Sequence, residues 1–273
     1  MDRQTEHGYN HREYDNSGKE CLVNSASPLS NEQIEQFKKH GFLVQSNLID
    51  KASIDRWRRQ IWNELGSSVK TPESWPRARS GLDGYEYDPS ESNFGLHPNL
   101  WAKVEQLGGG DFVLGDGDPI ITWPDPDRAW ENPRGGHIDA YGDLLGWSPF
   151  MFGATVYLYD VEPGGGSFFY WPDSHHAAHR YFRKHPEHVD GSFLKQEGYS
   201  WSVFCDNPKT GGREFAAKAG DVVLWHAYLT HSGSMNIRSS PRIALFARWY
   251  HKLRNETDFR YEVPEDLWKY WAI

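Results

Sequence analysis

From residue 29 onward the chain alternates between stretches of helical and of strand-like hydrophobic spacing. The opening stretch, residues 1–28, is polar and aperiodic and reads as a flexible N-terminal tail. Ser30, with Gln33 three residues on, has the signature of a capping box, and Ile34 and Phe37 give the helix that follows an apolar stripe. Gly41 ends that helix, and 41–44 reads as a short strand. A second amphipathic helix is predicted over 52 to about 65, with Ile54, Trp57, Ile61, Trp62 and Leu65 on its buried side. Residues 66–118 hold Pro72, Pro76, Pro89 and Pro98 and the glycines 108–110, and read as a variable loop region around a short helix near 99–106. Beyond Pro119 short β-like runs alternate with turn signals, near 119–123, 136–139, 151–160, 166–171, 199–204, 213–217, 220–226 and 242–250. One helix interrupts them near 175–184, ended by Pro186. Strands at that spacing predict a sandwich or barrel, so 29–273 reads as a single, mainly β domain with flanking helices.

Composition supports this and narrows the partners. Aromatic residues make up 15% of the chain, with 26 glycines and 16 prolines, which suits a β-rich globular fold better than a helical bundle or a disordered chain. The formal charge is −9, and no basic stripe offsets it, which argues against nucleic acid as a partner. Two cysteines, Cys21 and Cys205, support neither a disulfide framework nor a cysteine-rich zinc site. No apolar run approaches the roughly 18 residues of a membrane helix, no signal-peptide core is visible, and Trp-Ala-Ile at the C-terminus is not a peroxisomal tripeptide. A cytoplasmic protein with a small-molecule substrate, and neither nucleic acid nor membrane as partner, is the expectation.

Thirteen histidines raise the question of a metal. On a strand, residues i and i+2 point the same way, so His-x-Asp delivers an imidazole and a carboxylate to one point. With one distant histidine they form the two-His, one-carboxylate face of an octahedral iron, whose other three positions stay open. Two such pairs exist, His137-Ile138-Asp139 and His188-Val189-Asp190, besides the His-x-Glu pairs at His11 and His185. The pairs near 185–190 follow a helix in a polar stretch and read as a solvated helix end, and that at His11 lies in the tail. His137 follows Gly135-Gly136 and opens a strand-like run, and His231, between two later strands, is its counterpart. Arg242, eleven residues past His231, opens the strand RIALFARWY. Its planar fork suits the far carboxylate of a dicarboxylate that chelates iron at its other end.

In this order the motifs resemble the phytanoyl-CoA dioxygenase family of Fe(II)/2-oxoglutarate-dependent oxygenases. The resemblance runs from LSNEQIEQF and His40-Gly41-Phe42, through His137-Ile138-Asp139, Gly165-Gly166-Ser167-Phe168 and Trp171-Pro172-Asp173-Ser174-His175, to Gly220-Asp221, His226, His231-Ser232-Gly233, Asn236 and Arg242. It implies a double-stranded β-helix, the jelly roll of cupin-like barrels. It implies that His137, Asp139 and His231 bind iron, that Arg242 holds the distal carboxylate of 2-oxoglutarate, and that Thr155 is a further cosubstrate contact. Thr155 stands where many members have Trp, and Asp173 replaces the glycine of a Pro-Gly-Ser-His turn. The implied reaction consumes O2 and 2-oxoglutarate, releases succinate and CO2, and oxidises a small molecule, with hydroxylation the expected outcome. Related halogenases have a small residue in place of Asp139, so its presence favours hydroxylation over halogenation.

Tyr141, two residues past Asp139, Trp123 on the preceding strand and Arg248, which shares strand parity with Arg242, are the candidates for touching substrate. His226 reads as a strand residue with a hydrogen-bonded ring, and His175, His176 and His179 as a helix start. Two other functions fit part of the pattern. A metal-binding cupin-like protein without 2-oxoglutarate would leave Arg242 without a purpose. A non-catalytic module that kept the fold would have to bear the cost of clustered, unpaired liganding groups.

Overall fold

A computed structural model describes residues 12–14, 20–22, 27–75, 80–81, 94–115, 119–133, 135–139, 151–191, 204 and 211–273. The short strands β1 (Arg12–Tyr14) and β2 (Glu20–Leu22) pair with each other. Helix α1 (Asn31–His40) begins as its sequence dictates: the Ser30 hydroxyl accepts from the Gln33 amide, and the Gln33 side chain accepts from the Ser30 amide. It stops at Gly41, which adopts the left-handed conformation (φ 76°) and donates its N–H to the Phe37 carbonyl. A Cβ at that glycine would stand 2.6 Å from His175 Nδ1, so it serves close packing as well as the turn. Strand β3 (Phe42–Gln45) follows, then α2 (Lys51–Glu64), whose Asp50 cap accepts from the Ser53 amide at 2.9 Å. Next come β4 (Ser80–Gly81), α3 (Pro98–Gly108, with proline in its first turn), β5 (Phe112–Leu114) and β6 (Ile120–Thr122).

The remaining strands are β7 (Met151–Tyr157), β8 (Phe168–Tyr170), β9 (Arg213–Phe215), β10 (Val222–His226), β11 (His231–Gly233) and β12 (Arg242–His251). Helix α4 (Ser174–Lys184) lies between β8 and β9, and the short α5 (Thr257–Arg260) follows β12. A large antiparallel sheet has the order β3-β10-β7-β12-β6-β4, with β5 paired to the far end of β12, and a small sheet has the order β11-β8-β9. Together they form a jelly roll, as expected. The expected strand at 136–139 is reduced to one bridge, His137 to His231. The expected run at 199–204 lies, save for Phe204, outside the described residues.

Parity sorts each long strand onto two faces. On β12, Ile243, Leu245, Ala247 and Trp249 face the helix layer, where they meet Trp57 and Ile61 of α2 and Leu100 and Val104 of α3. Ala244 and Phe246 face the other way and join Trp225, Tyr157, Phe168 and Tyr170 in the interior between the two sheets. Arg242 and Arg248 share that inward parity. Tyr157 ties the sheets together: its hydroxyl donates to the Phe215 carbonyl at 2.9 Å and accepts the Phe168 amide at 2.7 Å.

The helix side carries a pH liability. His175 and His226 are buried beside His176 and the rings of Trp268 and Trp271. Burial foremost, then the nearby His176, pushes His175 down to about 3, against the favourable pull of the Lys38 carbonyl and Asp173. Burial and the neighbouring His175, His176 and His179 hold His226 far below its ordinary range. Both stay neutral in the fold, whereas the unfolded chain protonates them below about pH 6.5. Their contribution is therefore complete above that pH and declines as pH falls, by about 1.4 kcal/mol per unit for each histidine. Urea midpoints measured from pH 7.5 to 5 should fall accordingly, and His226→Phe should flatten the slope; an unchanged slope would contradict this assignment.

Candidate metal centre

The residues at 135–139 reach the barrel because glycine lets them. A Cβ on Gly136 would stand 2.5 Å from the His231 carbonyl and 2.7 Å from the Trp171 ring. With that space free, the His137 amide donates to the His231 carbonyl and the His231 amide to the His137 carbonyl, both at 2.8 Å. Two residues on, the Asp139 amide donates to the Ala227 carbonyl at 3.0 Å. The extended i, i+2 geometry then turns both side chains toward His231.

The three side chains converge. His137 Nε2 lies 3.3 Å and His231 Nε2 3.6 Å from the same oxygen, Asp139 Oδ1. One ligand atom from each residue falls within 4.8 Å of the others. Neighbouring donors of an octahedral cation bound at about 2.1 Å stand about 3 Å apart, so the set has the right scale to close on a metal. The His231 ring is presented edge-on. Its Nδ1 lies 2.9 Å from the Leu229 carbonyl, which can only accept, so Nδ1 carries the proton and Nε2 offers its lone pair. Phe168 stacks on the ring at 5.0 Å and Trp225 leans on it at 4.8 Å. Asp139 is 2% exposed, whereas the His137 side chain is 47% exposed, so the centre opens to solvent past His137.

Electrostatics keep the donors in binding form. Burial pushes the Asp139 carboxyl up, but His231, His137 and Arg248 outweigh it and hold the group below the usual carboxylate range. Burial likewise depresses His231, to about 4, against the pull of Asp139. Near neutral pH the pair is an anion and a neutral imidazole, the forms that bind a metal. The donor chemistry fits a divalent iron-type cation: imidazole and carboxylate, no thiolate, and three donors on one face.

The other predicted residues are distributed as follows. Arg242 is buried, with Nε donating to the Gly166 carbonyl at 2.6 Å and Nη1 to that of Ile120 at 3.1 Å. Thr155 faces the interior from β7, fully buried, and its hydroxyl oxygen accepts from Trp225 Nε1 at 3.1 Å. Arg248 reaches the centre itself: its Nε lies 3.0 Å from Asp139 Oδ2. Trp123 packs in the helix layer, against Trp62 at 6.0 Å and Trp75 at 5.7 Å, on the opposite side of the sheet from the triad. Tyr141 lies outside the described residues. His226 also faces the helix layer, its ring stacked on Trp271 at 5.2 Å. His185, Glu187 and His188 form a second cluster of potential ligands at the end of α4, more open to solvent than the first.

Sequence reasoning missed Trp225 and Gly153. Both stand in one lateral row with Arg248, since Gly153 is paired to Trp225 on one side and to Arg248 on the other. A Cβ on Gly153 would collide with the Trp225 indole. A lone glycine inside a strand was the available signal of such a close approach.

Several solved structures share this architecture. SnoK, a non-heme alpha-ketoglutarate-dependent carbocyclase from nogalamycin biosynthesis, is 19% identical with a TM-score of 0.58, over 81% of this chain and 83% of that one. The fold is shared. HygX from Streptomyces hygroscopicus, solved with nickel and 2-oxoglutarate, is 21% identical with a TM-score of 0.54, over 82% of this chain and 87% of its own. EctD from S. alaskensis, solved with 2-oxoglutarate and 5-hydroxyectoine, is 16% identical with a TM-score of 0.57, over 91% and 82%. No family model matches the chain, and no curated protein matches it in sequence. Among the described residues no helix is long and apolar enough to cross a membrane.

Proposed function

We propose that this protein is an Fe(II)- and 2-oxoglutarate-dependent oxygenase of the phytanoyl-CoA dioxygenase type that oxidises a small molecule. The observation that carries the reading is the convergence of His137, Asp139 and His231 at one solvent-facing point of a jelly roll. Iron held by this face would supply oxidation coupled to decarboxylation of the cosubstrate. The chain's own residues supply the rest. His231 is locked in one tautomer by Leu229, Asp139 is kept ionised by its neighbours, and Arg242 offers a buried guanidinium from the same inward face of β12. Arg242 is assigned to the distal carboxylate of 2-oxoglutarate and Thr155 to a second contact with it. The likeness to HygX, solved with nickel and 2-oxoglutarate, supports the cosubstrate. The epimerase SnoN, solved with Fe3+, alpha-ketoglutarate and nogalamycin RO, supports a small-molecule substrate.

The test is an anaerobic titration of apoprotein with Fe(II) and then 2-oxoglutarate, following the visible charge-transfer band of the chelate. The band should appear and saturate at one equivalent of iron. Iron binding without a band would remove the cosubstrate from the reading, and absence of iron binding would remove the reading itself.

A further inference from the structure

Two oxygens of one carboxylate do different things in this centre. Asp139 Oδ1 is the atom that His137 Nε2 and His231 Nε2 approach, at 3.3 and 3.6 Å. Asp139 Oδ2 lies instead 3.0 Å from Arg248 Nε. Carboxylates bind cations through one oxygen or both. An octahedral cation held by three single donors keeps three positions, and a carboxylate that uses both oxygens takes a fourth. A bidentate 2-oxoglutarate and O2 need three.

We infer that Arg248 is a positioning residue that holds Asp139 as a one-oxygen ligand, by engaging Oδ2 and so keeping the third exchangeable position of the metal open. The inference rests on the oxygenase reading above and deepens it.

The placement of Arg248 is built, not incidental. The strand that carries it, β12, pairs with β7 over seven consecutive positions, Ala244 to Tyr250, which fixes its register. The guanidinium carbon lies 5.8 Å from the centre of the Trp225 ring and 5.7 Å from that of Phe246, within cation–π reach of both. Trp225 can lie there because its neighbour in the row, Gly153, has no side chain. The indole is then pinned by its N–H bond to Thr155. Thr155, Trp225, Arg248 and Asp139 thus form a chain of side-chain contacts across three adjacent strands that ends on the liganding carboxylate. The Asp139 side chain is 2% exposed and that of Arg248 17%, so water competes little for Oδ2.

A residue that only stabilised the fold would weaken every ligand of the site together when removed. A residue that keeps the carboxylate single-handed gives a split. Arg248→Met should bind Fe(II) at least as tightly as wild type, because the freed Oδ2 can join the metal. It should bind 2-oxoglutarate at least tenfold more weakly, because the chelate must then displace that oxygen. Arg248→Lys, which keeps a cationic donor, should recover part of the loss. The experiment is anaerobic Fe(II) titration of all three proteins against a competing chelator, followed by 2-oxoglutarate titration of the visible band. Absorption of the Co(II)-loaded proteins gives an independent readout of coordination. Melting curves identify a variant that fails to fold, and Arg248→Lys then carries the comparison with wild type. Equal 2-oxoglutarate affinity in wild type and both variants, or a parallel fall in affinity for iron and for 2-oxoglutarate, overturns the inference while the oxygenase reading stands. A wild type that binds iron but forms no band overturns that reading first, and the inference with it.

Discussion

Asp139→Ala is expected to weaken Fe(II) binding by at least a hundredfold and to abolish succinate formation. The substitution removes the only anionic donor of the triad and does further harm through what it leaves behind. Arg248, 3.0 Å from the missing carboxylate, loses that counter-charge beside the two remaining histidines. A unit charge about 5 Å from another, at an effective dielectric of about 20, is worth about 3 kcal/mol, and a dication doubles it. Asp139→Asn separates the two effects, since it keeps the shape and removes the charge. A chelator-competition titration reads the loss directly, and near wild-type iron affinity in Asp139→Ala would remove this residue from the ligand set. A melting curve belongs beside it, because breaking a buried ion pair from one side costs about 3–5 kcal/mol.

Arg242→Met should have the second largest effect, and a different one. It should raise the 2-oxoglutarate concentration needed for half-maximal turnover at least tenfold while leaving Fe(II) affinity within about threefold. The guanidinium donates to the Gly166 and Ile120 carbonyls from the inward face of β12. Its loss also strips the buried Gly166 carbonyl of a donor, at about 1–3 kcal/mol, and the part-buried Ile120 carbonyl of another, so a lower melting temperature is part of the expected result. Arg242→Lys should fall between, because an ammonium keeps the charge and loses the planar fork. A change in iron affinity as large as that in 2-oxoglutarate affinity would assign Arg242 to the fold rather than to the cosubstrate.

The sequence was most readable where a local rule suffices. Ser30 and Gln33 announce the start of α1, Gly41 announces its end, and strict alternation along β12 separates Ile243, Leu245 and Ala247 from Arg242, Ala244 and Arg248. The triad was legible for the same reason, since His-x-Asp is a two-residue period. Two short strands, β5 and β11, left no such trace. Strand β11 has three residues and β5 has three, too few for any period to show, and 136–139 has the composition of a strand but pairs at one residue only. Trp123 illustrates a parity that was available and unused. Ile121 of β6 belongs to the helix layer, and a residue two further on falls on the same side. The partnership of Arg248 with Asp139 lay beyond local rules, because it joins residues 109 apart in the chain.

The reciprocal pair of hydrogen bonds between His137 and His231 has a consequence for how the centre opens. The His137 and His231 amides each donate to the other residue's carbonyl, and the Asp139 amide donates to that of Ala227. These three amides are expected to exchange their hydrogens together in a hydrogen-exchange experiment, through one opening that parts 137–139 from 227–231. These bonds are made by the backbone itself, so the spacing of the three side chains is set by the fold. A metal bound there would add stability that rises with the logarithm of its free concentration.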